Sequence, residues 1–346
     1  MGRSVTALGD DLDAYYYNPA GYAYQKVPKL NTMYAKQMDQ FNVYYTGYGQ
    51  RVLSGYGAVN LYMLRLDDIP QTSYSNGSFT SAGSSFEYSS KAVFLSYAAQ
   101  LKSLLGSRWG SFGERSSIGI NIKYLNEILF NNQASGMGID IGGIYRMNND
   151  VRFGVMAVNL LQPVMTWDTD SAHKDIVSRK FQVGVAYTGF KKFILSADVS
   201  FEPHEMLSNY GVEYRLNDYF SLRGGSMAKG YTFGLGLHYE QVNFDYVFVK
   251  DLETVIDDTH KFSIGYIFGS GADEVPVEET SISPERPVAP PIEQSKPEVV
   301  PPSPTVTGSS VIEPAVVTES AIIERSVTEN VLPENTAPVT SSVVTP

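Results

Sequence analysis

The sequence predicts an all-β fold, a transmembrane antiparallel β-barrel of about 14 strands. Three observations carry that prediction. Apolar residues alternate with small or polar ones over runs of eight to ten residues. The apolar set is rich in rings, with 24 Tyr and 17 Phe in a chain of 346 residues. The connectors between the runs alternate between short and long.

The alternation is clearest between 190 and 268. In one run Tyr231, Phe233, Leu235, Leu237 and Tyr239 share a parity, and Thr232, Gly234, Gly236, His238 and Glu240 share the other. Val242, Phe244, Tyr246 and Phe248 repeat the pattern, as do Phe262, Ile264, Tyr266 and Phe268, and Phe193, Leu195, Ala197, Val199 and Phe201. Successive side chains on a strand point to opposite faces, so each run is a strand with two unlike sides. Runs of this kind fall at 29–38, 40–50, 55–66, 90–102, 116–130, 134–147, 150–161, 178–189, 192–202, 207–216, 219–228, 231–240, 242–250 and 259–268.

Rings gather at the strand ends, as at Tyr231 and Tyr239, in the manner of girdles at the two rims of a lipid-facing band. The ring-bearing face is therefore expected to look outward, and the face rich in Gly, Ser and charge inward. A strand of about 10 residues, tilted by about 40°, spans roughly 25 Å, the height of such a band. A soluble sandwich or propeller is the competing fold and would bury the rings in a core. Nearly every strand is one-sided, and no repeat of about 40–50 residues marks a propeller.

Links at 51–54, 148–149, 190–191, 217–218 and 241 are short, whereas 67–89, 162–177 and 251–258 are long. Short turns on one side and long loops on the other put both ends of a barrel in the periplasm. The link at 103–115, "SLLGSRWGSFGER", is long where a short turn is expected.

No run of about 18 apolar residues occurs, which excludes a membrane helix but not strands that average to moderate polarity. The formal charge is −11. Residues 269–346 hold twelve acidic and three basic residues, a net of −9, so the rest carries about −2. Without a basic patch interleaved with aromatics, nucleic acid is not an expected partner. The absence of cysteine excludes disulfides, thiol catalysis and Cys-based zinc sites. The tail from 269 holds thirteen of the 18 prolines and no aromatic residue, so it is expected to be a disordered, extended periplasmic segment. The start, "MGRSVTALGDD", has no apolar stretch of a leader. An export signal is therefore expected to be absent from this sequence, Met1 being internal or left after trimming.

The inward parity carries Lys123, Asp140, Arg146, Arg152, Asp198, Glu213, Arg215, Arg223, His238, Glu240, Asp245 and Lys261. These are the lumen-lining candidates. Mixed signs facing one another suit a lumen closed by ion pairs, or a narrow polar path. Catalysis is not expected. His173 stands among Asp168, Asp170 and Asp175, and His204 between Glu202 and Glu205, but neither spacing is diagnostic of a nucleophile–base pair or a metal site. No cofactor or metal is expected.

The opening stretch holds Gly2-Arg3, Thr6-Ala7, Asp10-Asp11, Ala14 and Asn18-Pro19-Ala20-Gly21. This combination resembles the N-terminal signature of the PorV/PorQ family of outer-membrane proteins, which is similar in turn to the long-chain fatty acid transporter FadL. The resemblance covers about 20 residues, and the long Pro-rich tail departs from it. It implies that residues 1–28 fold into the lumen as a hatch, a solvated lead-in being the plainer reading. Asn18 is placed for an Asx turn, Pro19 fixes the next φ and Gly21 permits a sharp exit. Asp10 and Asp11 are placed to meet Arg215 or Arg223. The resemblance also implies an accessory of protein export in the outer membrane, with secretion-system proteins as partners alongside outer-membrane lipid. The alternative is a FadL-like channel for small hydrophobic molecules. A channel calls for an apolar pocket beside the hatch and a kinked strand that opens the wall. The glycines at 136, 138, 142 and 143 mark the expected kink.

Overall fold

The computed structural model describes residues 1–9, 11–37, 40–75, 78–169, 172–252 and 258–269. Among the described residues sixteen strands form one antiparallel sheet, and fourteen of them close into a ring. These are β1 (Lys29–Gln37), β2 (Phe41–Val52), β3 (Gly55–Ser75), β4 (Ser78–Gln100), β5 (Ser116–Leu129), β6 (Asn132–Arg146) and β7 (Val151–Leu161), then β10 (Lys180–Tyr187), β11 (Phe193–Phe201), β12 (Met206–Arg215), β13 (Phe220–Met227), β14 (Gly230–Tyr239), β15 (Val242–Asp251) and β16 (Thr259–Ile267). The two short strands β8 (Val164–Trp167) and β9 (Lys174–Ile176) form a hairpin beside β6.

The ring closes where β1 meets β16, in register from Lys29↔Ile267 to Lys36↔His260. No helix of the described residues is long and apolar enough to cross a membrane, so any crossing is made by the strands. The wall has the two unlike sides that the alternation predicts. On β14 the burial alternates strictly, Phe233 and Leu235 being 46% and 43% exposed while Thr232 is 8% exposed. Leu30, Tyr34, Tyr44, Val59, Leu95, Ile120, Val183, Leu195 and Phe262 stand out in the same way on their strands. A continuous ring of exposed Val, Leu, Ile, Phe and Tyr has no stable place in water and matches the lipid-facing band of an outer-membrane barrel.

Three connectors differ from expectation. The link at 67–89, read as a loop, is strand in its described residues. β3 and β4 run for 21 and 23 residues and pair with each other as far as Ser75↔Ser78. β3 leaves β2 at Arg65↔Asn42 and β4 leaves β5 at Tyr88↔Leu129, so about 10 residues of each strand, roughly 30 Å, rise beyond their neighbours. The sequence from Gln71 to Ser90 is rich in Ser and Thr and lacks a sustained apolar alternation, which is why its strand character was not legible. Two irregularities, between Leu66 and Ile69 and between Pro70 and Thr72, twist this free ribbon. The link at 162–177 contains the β8–β9 hairpin. The link at 103–115 lies in a helical excursion, α2 (Leu101–Leu105), a 3-10 turn (Gly106–Trp109) and α3 (Gly110–Arg115). The disordered tail expected from 269 onward lies outside the described residues beyond Gly269, as do parts of the connector 251–258.

The outward face generates a direct test. Leu235→Arg places a charge near the middle of the apolar band and should destabilise the barrel by about 2–4 kcal/mol. Asn243→Ser, on the inward face, should change stability by less than about 1 kcal/mol. Urea unfolding in lipid vesicles measures both, and equal effects would contradict the assigned faces.

Candidate functional site

Residues 1–28 precede the first strand, and their contacts are with the inward parity of the wall. Within them lie a short helix, α1 (Ala14–Tyr17), and a 3-10 helix at Pro19–Tyr24. The segment runs along the inside of the ring from β14 round to β2. Gly2 N–H donates to Thr232 Oγ1 of β14 at 2.9 Å. Ser4 Oγ lies 2.7 Å from Ser196 Oγ of β11. Thr6 N–H donates to Asp198 Oδ2 at 2.8 Å. Asn121 of β5 donates from Nδ2 to the Tyr15 carbonyl at 2.7 Å. On the far side Tyr45 of β2 donates to the Leu12 carbonyl at 3.2 Å, and Tyr22 to the same carbonyl at 2.6 Å.

Asn18 is fully buried and holds the centre of this belt. Its Oδ1 accepts from Ala20 N–H at 3.1 Å, the Asx-type turn expected of it, with Pro19 at the first helical position. Its Nδ2 faces the carbonyls of Thr6, Gly143 and Val155 at 2.8, 3.2 and 3.3 Å. One side chain thus ties the turn to the opening residues and to both β6 and β7. Close approach of backbone to wall needs glycine: a Cβ on Gly154 would overlap the Thr6 carbonyl, and one on Gly142 the Asn18 side chain. Gly21 has a related role rather than the sharp exit expected, since the Gly9 backbone presses on its Cα.

The rings of the segment meet rings of the wall. Tyr15 stacks on Tyr45 with centroids 5.2 Å apart, and Tyr22 on Tyr56 at 5.8 Å. Burial raises the Tyr22 phenol well above its ordinary value, so it stays neutral and serves as a donor. Asn60 of β3 joins both clusters, accepting from Tyr45 at 2.9 Å and donating to Tyr22 at 3.2 Å.

The lumen-lining candidates fall into several separate places, Asp198 being the one already described beside Thr6. Glu213, Arg215, Arg223 and Asp245 form one ladder across β12, β13 and β15. Arg223 Nε bonds Glu213 Oε2 at 2.8 Å, Arg215 Nε bonds Glu213 Oε1 at 3.1 Å, and Arg223 also bonds Asp245. That last contact crosses over β14, where Gly236 leaves the room. Asp140 is buried and pairs with Lys123 Nζ at 2.6 Å. Arg146 caps the face of Tyr24, its guanidinium 3.3 Å from the ring centroid. His238 has the inward parity on β14. Glu240 does not: it sits in the β14–β15 turn with φ 50° and is exposed, because a one-residue shift past the strand end removes it from the lumen. The expected meeting of Asp11 with Arg215 or Arg223 is not made. Those arginines are held by Glu213 and Asp245, and Asp11 Oδ1 accepts from Leu12 N–H. Asp10 lies outside the described residues.

The wall is interrupted, though not in the strand expected. β6 pairs with β5 without a break, whereas its register with β7 jumps from Ile141↔Ala157 to Ile139↔Leu161. Two extra residues in β7 produce the bulge. Asn159, at φ 55°, turns inward there, its N–H donating to Asp140 Oδ1 at 2.7 Å and its Nδ2 to the Ser178 carbonyl at 2.6 Å. Asparagine tolerates this left-handed conformation better than most residues. β8 takes over the free edge of β6, pairing Ala134↔Trp167 and Ser135↔Thr166. Gly136 and Gly138 of β6 admit Val164, Met165 and Pro163 against its inner face instead of kinking it. In this hairpin Trp167 Nε1 donates to Asp175 Oδ2 at 2.6 Å, and His173 meets Asp175 Oδ1 at 3.0 Å in the open. Glu205 pairs with Lys229 at 3.0 Å and Glu202 lies 3.8 Å from Lys180, so neither converges on His204.

Toward the end of the ring opposite its termini, the inner wall of β1 to β4 is apolar, with Ala35, Val43, Leu64 and Tyr88 buried together and Met33, Phe41 and Tyr62 against them. A separate cleft of about 590 Å³, with Thr32, Tyr34, Thr46, Leu61 and Phe262 among its walls, takes the outward parity. It lies on the lipid side and is not the inner pocket that a channel calls for.

Asn18 was singled out as a turn residue, whereas the amides Asn60, Asn121 and Asn159 were missed by reading charge. Their one signal is an asparagine at inward parity, which has no place on a lipid face.

No family model and no curated protein sequence matches this chain. Among solved structures, one of the Pseudomonas putida toluene transporter TodX aligns with TM-score 0.51 at 10% identity, covering 75% of this chain and 94% of that one. A second TodX structure gives 0.50 at 11%, covering 77% and 96%. A Pseudomonas aeruginosa FadL homologue gives 0.49 at 10%, covering 77% and 96%. At such identities the TodX likeness is one of fold alone, that of a closed outer-membrane β-barrel. The PorV/PorQ resemblance of the opening motif finds no support in these comparisons.

Two substitutions test the inner contacts. Gly154→Leu should expel the Thr6 region, so that residues 1–24 become protease-sensitive while the barrel still resists unfolding in detergent. Arg223→Met leaves Glu213 and Asp245 without their shared cation and should cost about 3–5 kcal/mol in urea unfolding. A loss below about 1 kcal/mol would mean the ladder is solvated.

Proposed function

We propose that this barrel is an outer-membrane channel for small hydrophobic molecules, with residues 1–28 as its hatch. The observation that carries the reading is the β7 bulge beside that segment. It interrupts the wall where Asn159 meets Asp140, and the β8–β9 hairpin pairs with the edge of β6 there. A solute dissolving in lipid gains by leaving the lumen sideways, because it avoids water beyond the barrel. The apolar inner wall at Val43, Leu64 and Tyr88 offers such a solute a first foothold. The TodX structures that share the fold are of a toluene transporter, which supports the same class of substrate. Charged candidates such as Asp198, Glu213 and Arg223 then hold the interior together rather than select a solute. An export accessory, the other reading, asks for a closed lumen and protein-binding loops, and the broken wall gives it less support.

Because the chain has no cysteine, a designed disulfide tests the passage. Gly138→Cys with Pro163→Cys pins the returning loop to β6, since the two positions touch. Vesicles carrying this variant should take up a monoaromatic hydrocarbon only after reduction. Uptake equal in the oxidised and reduced states would remove the lateral route. No uptake by the unmodified barrel, together with capture of secretion proteins by its loops, would favour the export reading.

A further inference from the structure

The side chains of the helical excursion at 101–115 face an unusual way. Leu104, Leu105, Trp109 and Phe112 are each 46–51% exposed. Phe112 stacks on Tyr145, with centroids 5.4 Å apart, and Trp109 lies 5.9 Å from Phe112. Tyr145 has the outward parity of β6 and pairs with the exposed Phe153. The excursion therefore folds back over the outside of the wall instead of across its mouth. Ala99 and Ser116, which also have the outward parity at this end of β4 and β5, are correspondingly buried.

The fold of the excursion is fixed internally. Gly113, which is buried, lets α3 pack on the backbone of Lys102 and on Trp109. Lys102 pairs with Glu114 at 2.5 Å, and Arg115 donates to the Met147 carbonyl at 3.0 Å. Three cations against one anion leave a net charge of +2 on 101–115. The apolar residues are thus continuous with the lipid-facing band, and Lys102, Arg108 and Arg115 give the same excursion its positive charge.

We propose that residues 101–115 form a foot that lies in the bilayer interface at the end of the barrel holding both strand termini, with Trp109, Phe112, Leu104 and Leu105 among the upper acyl carbons and the basic residues on anionic lipid headgroups. Amphipathic rings favour this depth, and cationic side chains extend from it to phosphate. The occupant is lipid, because the surface continues one that already faces lipid and carries the opposite charge to an anionic leaflet. The inference rests on the barrel spanning a membrane, not on what passes through it, so a channel without transport would leave it intact.

Trp109 and Trp167 are the two tryptophans of the chain, which makes the test direct. Trp167→Phe leaves Trp109 as sole reporter in the full-length barrel. In phosphatidylcholine vesicles containing phosphatidylglycerol, its emission should be blue-shifted and quenched by lipids doxyl-labelled near the glycerol. Acrylamide quenching should fall several-fold relative to the urea-unfolded chain, and further as the anionic lipid fraction rises. A folded barrel whose Trp109 is quenched by acrylamide as in urea, and not by doxyl lipid, overturns the proposal. Protection that ignores phosphatidylglycerol overturns its headgroup part. Leu105→Cys carrying an environment-sensitive dye reads the same depth with both tryptophans present, should the first variant fold poorly.

Discussion

In a hydrocarbon medium every backbone N–H and C=O must find its partner within the protein, and the closed hydrogen-bonded ring is how this chain meets that demand. The pairing of β1 with β16 is the decisive one, because it removes the two edges that a fourteen-stranded open sheet would present. Once the ring is closed, strand parity has a fixed meaning. One parity faces lipid and must be apolar, and the other faces a confined interior where polar groups must bond one another. The exposed Phe233 and Leu235 and the buried Thr232 are consequences of that single division.

The interior is filled by backbone as well as side chains. A segment without strand partners brings its own peptide groups into the ring, and each needs a donor or acceptor from the wall. Neutral amides and hydroxyls serve this better than ions, since they bond without the cost of burying charge. Asn18, Asn60 and Asn121 bind the segment, and Asp198 accepts the Thr6 N–H. The ions are set apart in pairs and ladders of their own, Lys123 with Asp140 and Arg223 between Glu213 and Asp245. Wall glycines decide where the segment can come close.

The break at β7 reconciles these demands locally. Asn159 loses its place in the ladder and satisfies its backbone N–H on Asp140, while β8 pairs with the edge of β6 that β7 vacates. A polar cluster and a short hairpin replace continuous sheet at this point. That combination tolerates opening better than an intact ladder, whose hydrogen bonds would have to break in lipid. The opposite end of the barrel differs in kind, its helical excursion lying over the outer wall beside Tyr145.

The alternation of rings with small residues was enough to determine the strands, their faces and their number, because period two is a local property of sequence. It also identified the Asn18-Pro19 turn, whose chemistry lies within three residues. Contacts between distant segments were beyond it. Whether Asp11 or Glu213 holds Arg223, whether Gly138 kinks β6 or receives Pro163, and whether the run from 67 to 89 is loop or free ribbon each depend on what stands across the ring. The sequence by itself determined a barrel with an outside and an inside. Only the tertiary structure decided how the inside is filled and where the wall breaks, because those outcomes turn on register and on close approach between residues more than a hundred positions apart, such as Thr6 and Asp198.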